Sequence, residues 1–140
     1  MDVGDLIKGT ALFHNLQKEE LELISRSTRV EKYPPGQTII REGRVGTAFY
    51  MIVTGKVEVL KGSNDSNSAV AVLGPGDFFG EIASVRHLPR SASVRTLEET
   101  ECLVIWRADF DGFISRFPEA AIRIEAAARE RLASQKSMND

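Results

Sequence analysis

Apolar residues recur at helical spacing in the first part of the chain. Residues 5–15 predict a short helix, and Lys18–Ser27 predict a second one. The side chains expected to pack are Leu6, Ile7, Leu12 and Phe13 in the first helix and Leu21, Leu23 and Ile24 in the second. In the second helix the dipole favours acids in the first turns, where the residues expected to face outward are Glu19, Glu20 and Glu22.

From Arg29 to Trp106 the pattern changes to short β-type runs. The predicted strands are a run around Val30, then Thr38–Ile40, Ala48–Val53, Val57–Lys61, Ala69–Leu73, Ser91–Thr96 and Glu101–Trp106. Turn-forming stretches separate them, among them Pro34-Pro35-Gly36, Thr54-Gly55-Lys56 and the polar loop 62–68. Many short strands punctuated by glycine are typical of a β-sandwich or a jelly roll.

Helical spacing returns at Arg107. Asp109–Ile114 predicts a short helix, and Pro118 begins a longer one at a position where proline is tolerated. The apolar stripe of this longer helix is predicted to be Phe117, Ala121, Ile124, Ala128 and Leu132. The polar residues from Ser134 onward are expected to fray.

One domain is expected, spanning residues 1–140, because 140 residues with 42% apolar content suit a single core. The predicted divisions are N-terminal helices at 1–28, β-structure at 29–106, C-terminal helices at 107–134 and a tail at 135–140. The net charge of −2 gives no general attraction for nucleic acid or an acidic membrane.

The sequence also predicts a cytoplasmic location. The acidic start does not resemble a signal peptide, and no apolar run approaches the roughly 20 residues of a membrane helix. The one cysteine, Cys102, cannot form an internal disulfide. It lies in an apolar β run, so we expect a small buried hydrophobic residue and not a nucleophile.

The segment from Phe78 to Val94 carries the candidate chemistry. Gly80 is expected to precede a short helix, whose N-terminal amides would suit an anion. Arg90 adds a planar cation suited to phosphate. The carboxylate of Glu81 would repel an anion, but it can accept a hydrogen bond from a sugar hydroxyl. Together these residues indicate a ligand with one phosphate and one ribose-like diol.

The runs Phe79-Gly80-Glu81-Ile82-Ala83 and Pro89-Arg90-Ser91-Ala92 resemble the phosphate-binding cassette of cyclic nucleotide-binding domains. This resemblance extends from about Leu12 to about Leu132. It implies a jelly roll with helices at both ends and a short helix in the cassette. It also implies that Glu81 takes the ribose 2′-hydroxyl, and that the cyclic phosphate is held by Arg90 with backbone amides around Gly80, Ile82, Ala83 and Ala92.

The resemblance further implies a non-catalytic domain that binds cyclic AMP, with cyclic GMP bound more weakly and no metal. Arg131 would close over the purine as the C-terminal helix moves, and Val59 would form part of the purine wall. Ser91 would influence the choice of base, because its hydroxyl can reach a guanine amino group. In vitro a monomer is expected, with an effector domain or channel as a partner if the chain is an excised domain.

Two positions depart from the family pattern, and two alternatives stay open. Ser84 replaces a large aliphatic residue that helps to report occupancy, and His87 stands where small residues are common. One alternative is a structural or protein-interaction module with a vestigial cassette. The other is a cupin-like metal enzyme, for which His14 and His87 supply too few ligands. A transcription factor is not expected, because Ser134–Asp140 leaves no room for a helix-turn-helix.

Overall fold

The structure is a computed structural model. It describes residues 3–10, 12–41, 48–61, 68–82, 85–86 and 92–138; for residues 68, 81–82, 85–86 and 132–138 the description covers the backbone only.

Two short helices precede the β-structure: α1 spans Val3–Lys8 and α2 spans Lys18–Arg26. The prediction of a helix over residues 5–15 was therefore too long. The chain turns after Lys8, and the Thr10 hydroxyl donates to the Ile7 carbonyl at 2.7 Å and accepts the Phe13 N–H at 3.1 Å. Such local bonds from threonine compete with helix continuation. The predicted packing residues Leu12 and Phe13 are nevertheless buried.

The described residues contain nine strands, which form two sheets that face each other. They are β1 Thr28–Tyr33, β2 Thr38–Ile40, β3 Ala48–Thr54, β4 Val57–Lys61, β5 Ser68–Leu73, β6 Phe78–Ile82, β7 Val85–Arg86, β8 Ala92–Thr96 and β9 Thr100–Trp106. The larger sheet has the order β1-β9-β3-β6-β7, and the smaller has the order β2-β8-β4-β5. The paired strands are antiparallel, which confirms the predicted jelly roll.

The central strands of the larger sheet are buried on both faces. Along β3, Phe49 and Met51 point to the helices, whereas Ala48 and Ile52 point into the roll. The same alternation holds in the neighbouring β9, because successive side chains of a strand point to opposite faces. Both strands therefore read as almost continuous apolar runs rather than alternating ones.

The C-terminal helices are α3, Arg107–Arg116, and α4, Pro118–Met138. Within Pro118–Arg131, the part of α4 whose side chains are described, the fully buried residues are Ala120, Ile124 and Ala128, spaced four apart; Leu132 of the predicted stripe lies outside that part. The predicted stripe was thus displaced at one position, since Ala121 is only partly buried and Ala120 faces the core. The helix continues to Met138, beyond the end predicted near Ser134, through residues that include no glycine or proline.

The prediction for Glu20 was wrong as well. Its side chain is 6% exposed and forms an ion pair with Arg123 of α4, while its Oε1 accepts the Gln17 N–H at 2.8 Å. Burial acts to raise the pKa of Glu20. The hydrogen bonds from Arg123 and Gln17, with the charge of Arg123, outweigh burial and lower it below its ordinary value of 4.5. The pair holds α2 against α4.

We predict that Glu20→Gln lowers the free energy of unfolding at pH 7 by about 1–3 kcal/mol, because a charged hydrogen bond to Arg123 becomes a neutral one. A lowered folded-state pKa stabilises the protein above the unfolded value near 4.5 and loses that effect as the pH falls through the folded value. The difference between variant and parent should therefore shrink in acid. Urea unfolding from pH 7 to pH 3 measures this. The exposed Glu22→Gln serves as the control, and an equal loss in both variants would contradict the role of the pair.

Candidate functional site

A tight turn leads the chain into the predicted cassette. It spans Gly74–Asp77 and is anchored to β3, because the Gly76 N–H donates to the Ile52 carbonyl and the Ile52 N–H donates to the Asp77 carbonyl, both at 2.9 Å. Within the turn, the Gly74 N–H donates to Asp77 Oδ2 at 2.9 Å. The start of β6 is thereby fixed against the centre of the larger sheet.

Strand β6 sends its two phenylalanines to opposite sides of the sheet. Phe78 packs among the helices, whereas Phe79 lies inside the roll. The ring of Phe79 stacks on Tyr50 of β3, with centroids 4.9 Å apart and planes 6° from parallel. Phe79, which was predicted as a site residue, is thus completely buried in the interior of the roll.

Gly80 occupies a backbone position that few other residues could take. Its φ is +96°, and a Cβ added there would lie 2.6 Å from the carbonyl oxygen of Ala48 and 3.3 Å from the Tyr50 ring. A glycine is required on both grounds, conformation and close approach. The sequence predicted a special role for Gly80; the structure gives a steric reason in the pairing of β6 with β3.

Beyond Gly80 the backbone is strand and not the predicted short helix. Glu81 and Ile82 pair with Arg86 and Val85 of β7 in an antiparallel hairpin, so that their backbone groups face a neighbouring strand. The helix prediction was therefore wrong at these four residues, whereas binding of an anion by backbone amides around Gly80 and Ile82 stays a prediction.

The remaining cassette positions lie outside the described residues. These are Ala83, Arg90 and Ser91 among the predicted site residues, and Ser84 and His87 among the departures from the family pattern. The description of Glu81 and Ile82 covers their backbone only. The roles of Glu81 in binding ribose and of Arg90 in binding phosphate stay predictions.

Two other predicted site residues lie beside Phe79 inside the roll. Val59 of β4 is 1% exposed, and Ala92 at the start of β8 is 3% exposed. All three belong to one apolar cluster to which both sheets contribute. The structure thus brings the described residues at the two ends of the cassette to the same interior.

Arg131 of α4 contacts the turn before β6. Its Nε donates to Asp77 Oδ1 at 3.0 Å, and its Nη2 lies 2.8 Å from that oxygen and 3.2 Å from the Pro75 carbonyl. The Arg131 side chain is 27% exposed, whereas that of Asp77 is 1% exposed. Contact between Arg131 and a purine stays a prediction.

Sequence reasoning missed Asp77. Its position directly after the Gly74-Pro75-Gly76 turn was the available signal, because aspartate often accepts backbone N–H groups within turns. Its partner, 54 residues further along the chain, could not be read from local pattern.

The other predictions about reactive groups concern Cys102 and metals. Cys102 is fully buried, as predicted, and burial raises the pKa of its thiol to about 12, which keeps it protonated. Among the residues that the structure describes, no cluster of His, Cys, Asp or Glu is suited to a metal ion. Within the same residues, no helix is long and apolar enough to cross a membrane.

Comparisons with known proteins agree with this architecture. The family model for the cyclic nucleotide-binding domain matches residues 30–117. The cyclic AMP receptor protein of Thermus thermophilus is 35% identical over 127 residues, which cover 90% of this chain and 59% of the relative. A cyclic nucleotide-gated potassium channel of Rhizobium etli is 36% identical over 126 residues, which cover 90% of this chain and 34% of the channel.

Solved structures show the same fold. The catabolite activator protein of Thermus thermophilus superposes with a TM-score of 0.70 at 33% identity, covering 92% of this chain and 61% of that one. The regulatory domain of Toxoplasma gondii PKA, crystallised with cAMP, superposes with a TM-score of 0.67 at 26% identity, covering 79% of this chain and 42% of that one. The chain belongs to the cyclic nucleotide-binding domain family, which confirms the resemblance identified from the cassette residues. It spans less than two thirds of the length of these relatives.

We predict that Gly80→Ala destabilises the fold by about 2 kcal/mol or more, since a positive φ alone costs a non-glycine residue about 1–3 kcal/mol and the Ala48 carbonyl must also move. Gly112→Ala is the matched control. Gly112 lies inside α3 with nothing within 4 Å of an added Cβ, so alanine should stabilise by about 0.5–1 kcal/mol. Denaturant unfolding of both variants measures the contrast. A Gly80→Ala protein as stable as the parent would contradict the steric argument.

Proposed function

We propose that this domain is a non-catalytic sensor of 3′,5′-cyclic nucleotide that prefers cyclic AMP. The observation that carries the proposal is the meeting of Val59, Phe79 and Ala92 in one interior cluster. Phe79 lies at the start of the cassette and Ala92 at its end, so both ends of the cassette lie at the same apolar cluster. A purine has an apolar face suited to such a surface.

The cassette binds the polar part of the ligand, namely its phosphate and its ribose. Arg90 neutralises the cyclic phosphate, because its planar guanidinium can form two parallel hydrogen bonds to phosphate oxygens. Glu81 accepts the ribose 2′-hydroxyl. Its position supports this role, since the backbone of Glu81 directly follows the sterically fixed Gly80 and is paired with β7. Ser91 contributes to the choice of base.

The response is a population shift of α4, which closes over the base and brings Arg131 to the purine. Two features support it: α4 lies beside β7 of the cassette, and its Arg131 already reaches the turn that precedes β6. The relatives include a protein named as a channel and one named as a receptor, each longer than this chain, so we also propose that the domain regulates an effector.

The choice of nucleotide calls for paired titration. Among the relatives, one is named a cyclic AMP receptor and another, from Homo sapiens, a cGMP-dependent protein kinase at 33% identity over 82% of this chain and 16% of the kinase. Calorimetric titration with cyclic AMP and cyclic GMP should give tighter binding of cyclic AMP by about fivefold, or roughly 1 kcal/mol. Binding of neither nucleotide would instead support a module with a vestigial cassette.

We predict that Arg90→Ala weakens cyclic AMP binding at least about tenfold and up to about a hundredfold, because a charged hydrogen bond contributes roughly 1.5–3 kcal/mol and the phosphate loses its cation. The fold should be retained. Arg95→Ala is the matched control, since Arg95 points outward from β8 and bonds to Glu58 on the exposed surface. Titration of both variants checks the prediction, and affinity unchanged in Arg90→Ala would overturn the cassette assignment.

We predict that the parent protein binds cyclic AMP more tightly than its 2′-deoxy analogue, by roughly 1–3 kcal/mol, because the Glu81 carboxylate would lose its partner in the analogue. Glu81→Ala should bind both ligands with similar affinity. Competition titrations of the two nucleotides on the two proteins measure this discrimination. If the variant discriminates as well as the parent, the ribose is held by other groups.

A further inference from the structure

We infer that Asp77 is a positioning residue for nucleotide binding: it holds Arg131, and through it the C-terminal half of α4, beside the cassette before the nucleotide arrives. This inference rests on the proposed function and adds to it a residue outside the cassette. The contact joins the turn before β6 to a helix 54 residues further along the chain.

The burial of Asp77 makes this pair more than a surface ion pair. A carboxylate that is 1% exposed is costly to bury unless hydrogen bonds and an opposite charge compensate it. Here Gly74 supplies a backbone N–H to Oδ2, and Arg131 supplies Nε and Nη2 to Oδ1. Among the described residues, Arg131 is the one cation that contacts this carboxylate, so moving α4 away would remove that compensation from a buried charge.

The turn is shaped to receive the guanidinium. Gly76 has a φ of +89°, and a Cβ added to it would lie 3.2 Å from Arg131 Nη2. The Pro75 carbonyl accepts a further bond from the same nitrogen. The guanidinium of Arg131 therefore packs against the backbone of Gly76, where no side chain intervenes. Its hydrogen bonds to Asp77 Oδ1 and to the Pro75 carbonyl fix the orientation of its plane.

The turn also connects Arg131 to the site. Asp77 directly precedes Phe78 and Phe79, and its carbonyl is bonded to Ile52 of β3. On the helix side, the fully buried Ala128 lies three residues before Arg131 and packs in the core between helices and sheet. A displacement of α4 at Arg131 is therefore resisted by the strand that carries Gly80 and Glu81. Holding the helix in place beforehand reduces the ordering cost of closure on binding.

The test combines a double-mutant cycle with hydrogen exchange. Asp77→Asn keeps the size of the side chain and an oxygen for the Gly74 N–H but removes the charge, and Arg131→Gln removes the guanidinium. Each single variant should weaken cyclic AMP binding about tenfold, within the range typical of coupling between sites, and the double variant should be no weaker than the worse single variant. Affinities are measured at a temperature at which circular dichroism shows each variant to be folded.

Arg129→Gln is the matched control. Arg129 is 74% exposed and pairs with Glu125 on α4 itself, so the variant removes an arginine of the same helix without touching the turn. It should bind cyclic AMP like the parent. In the nucleotide-free proteins, amides of α4 after Ala128 should exchange faster in Asp77→Asn and Arg131→Gln than in the parent or in Arg129→Gln.

Three results would overturn the inference: single variants with unchanged affinity, losses that multiply in the double variant, or tighter binding in Asp77→Asn. If Asp77→Asn does not fold, Arg131→Gln with its control still decides through hydrogen exchange in the nucleotide-free proteins, where a contact between Arg131 and the purine plays no part. If the parent binds neither nucleotide, the proposed function fails, whereas the exchange measurement still shows whether Asp77 holds α4.

Discussion

The fold depends on two strands that are buried on both faces. β3 and β9 are hydrogen-bonded neighbours, and each presents one set of side chains to the helices and the other to the interior of the roll. The apolar area removed from water on both sides makes these strands the centre of the molecule. β6 pairs with β3 and shares the arrangement, so that Phe78 secures the helices while Phe79 closes the interior. Strand β6, which leads into the candidate site, therefore packs into both apolar clusters, one on each face of the sheet.

A second constraint follows from this pairing. Phe49 lies opposite Gly80 in the register of β3 and β6, and the carbonyl of Ala48 leaves no space for a side chain at Gly80. The positive φ there is compatible with the tight contact only for glycine. Whatever the side chain of Glu81 binds, its backbone begins from a fixed point. Rigid support of this kind is what a binding site needs if the ligand is to meet preformed contacts.

Much of this could be predicted from sequence, since local pattern reports local structure. The strands other than β6 and β7, together with α2 and the start of α4, appear in hydrophobic periodicity, and the cassette residues identify the family. Contacts between distant residues do not appear there. Glu20 looks like a solvated acid in a first helical turn, and only its ion pair with Arg123, 103 residues away, explains why it is buried. The same holds for Asp77 and Arg131. The helix expected after Gly80 failed at Glu81–Ile82 because pairing with β7, which no single-residue preference indicates, satisfies that backbone.

The anchoring of α4 is compatible with the proposed response of this helix to a ligand. Between Pro118 and Arg131 its fully buried residues are Ala120, Ile124 and Ala128, so two of the three are alanines that bury little surface. Arg123 and Arg131, eight residues and about 12 Å apart along the helix, add ion pairs to α2 and to the turn before β6. Apolar packing is lost gradually as surfaces separate, whereas a buried ion pair is strongly destabilised once one partner leaves. The two pairs therefore favour the observed position of α4, because a displacement of the helix must break or replace them. A binding event that displaces α4 would have to compensate this loss through its own differential contacts.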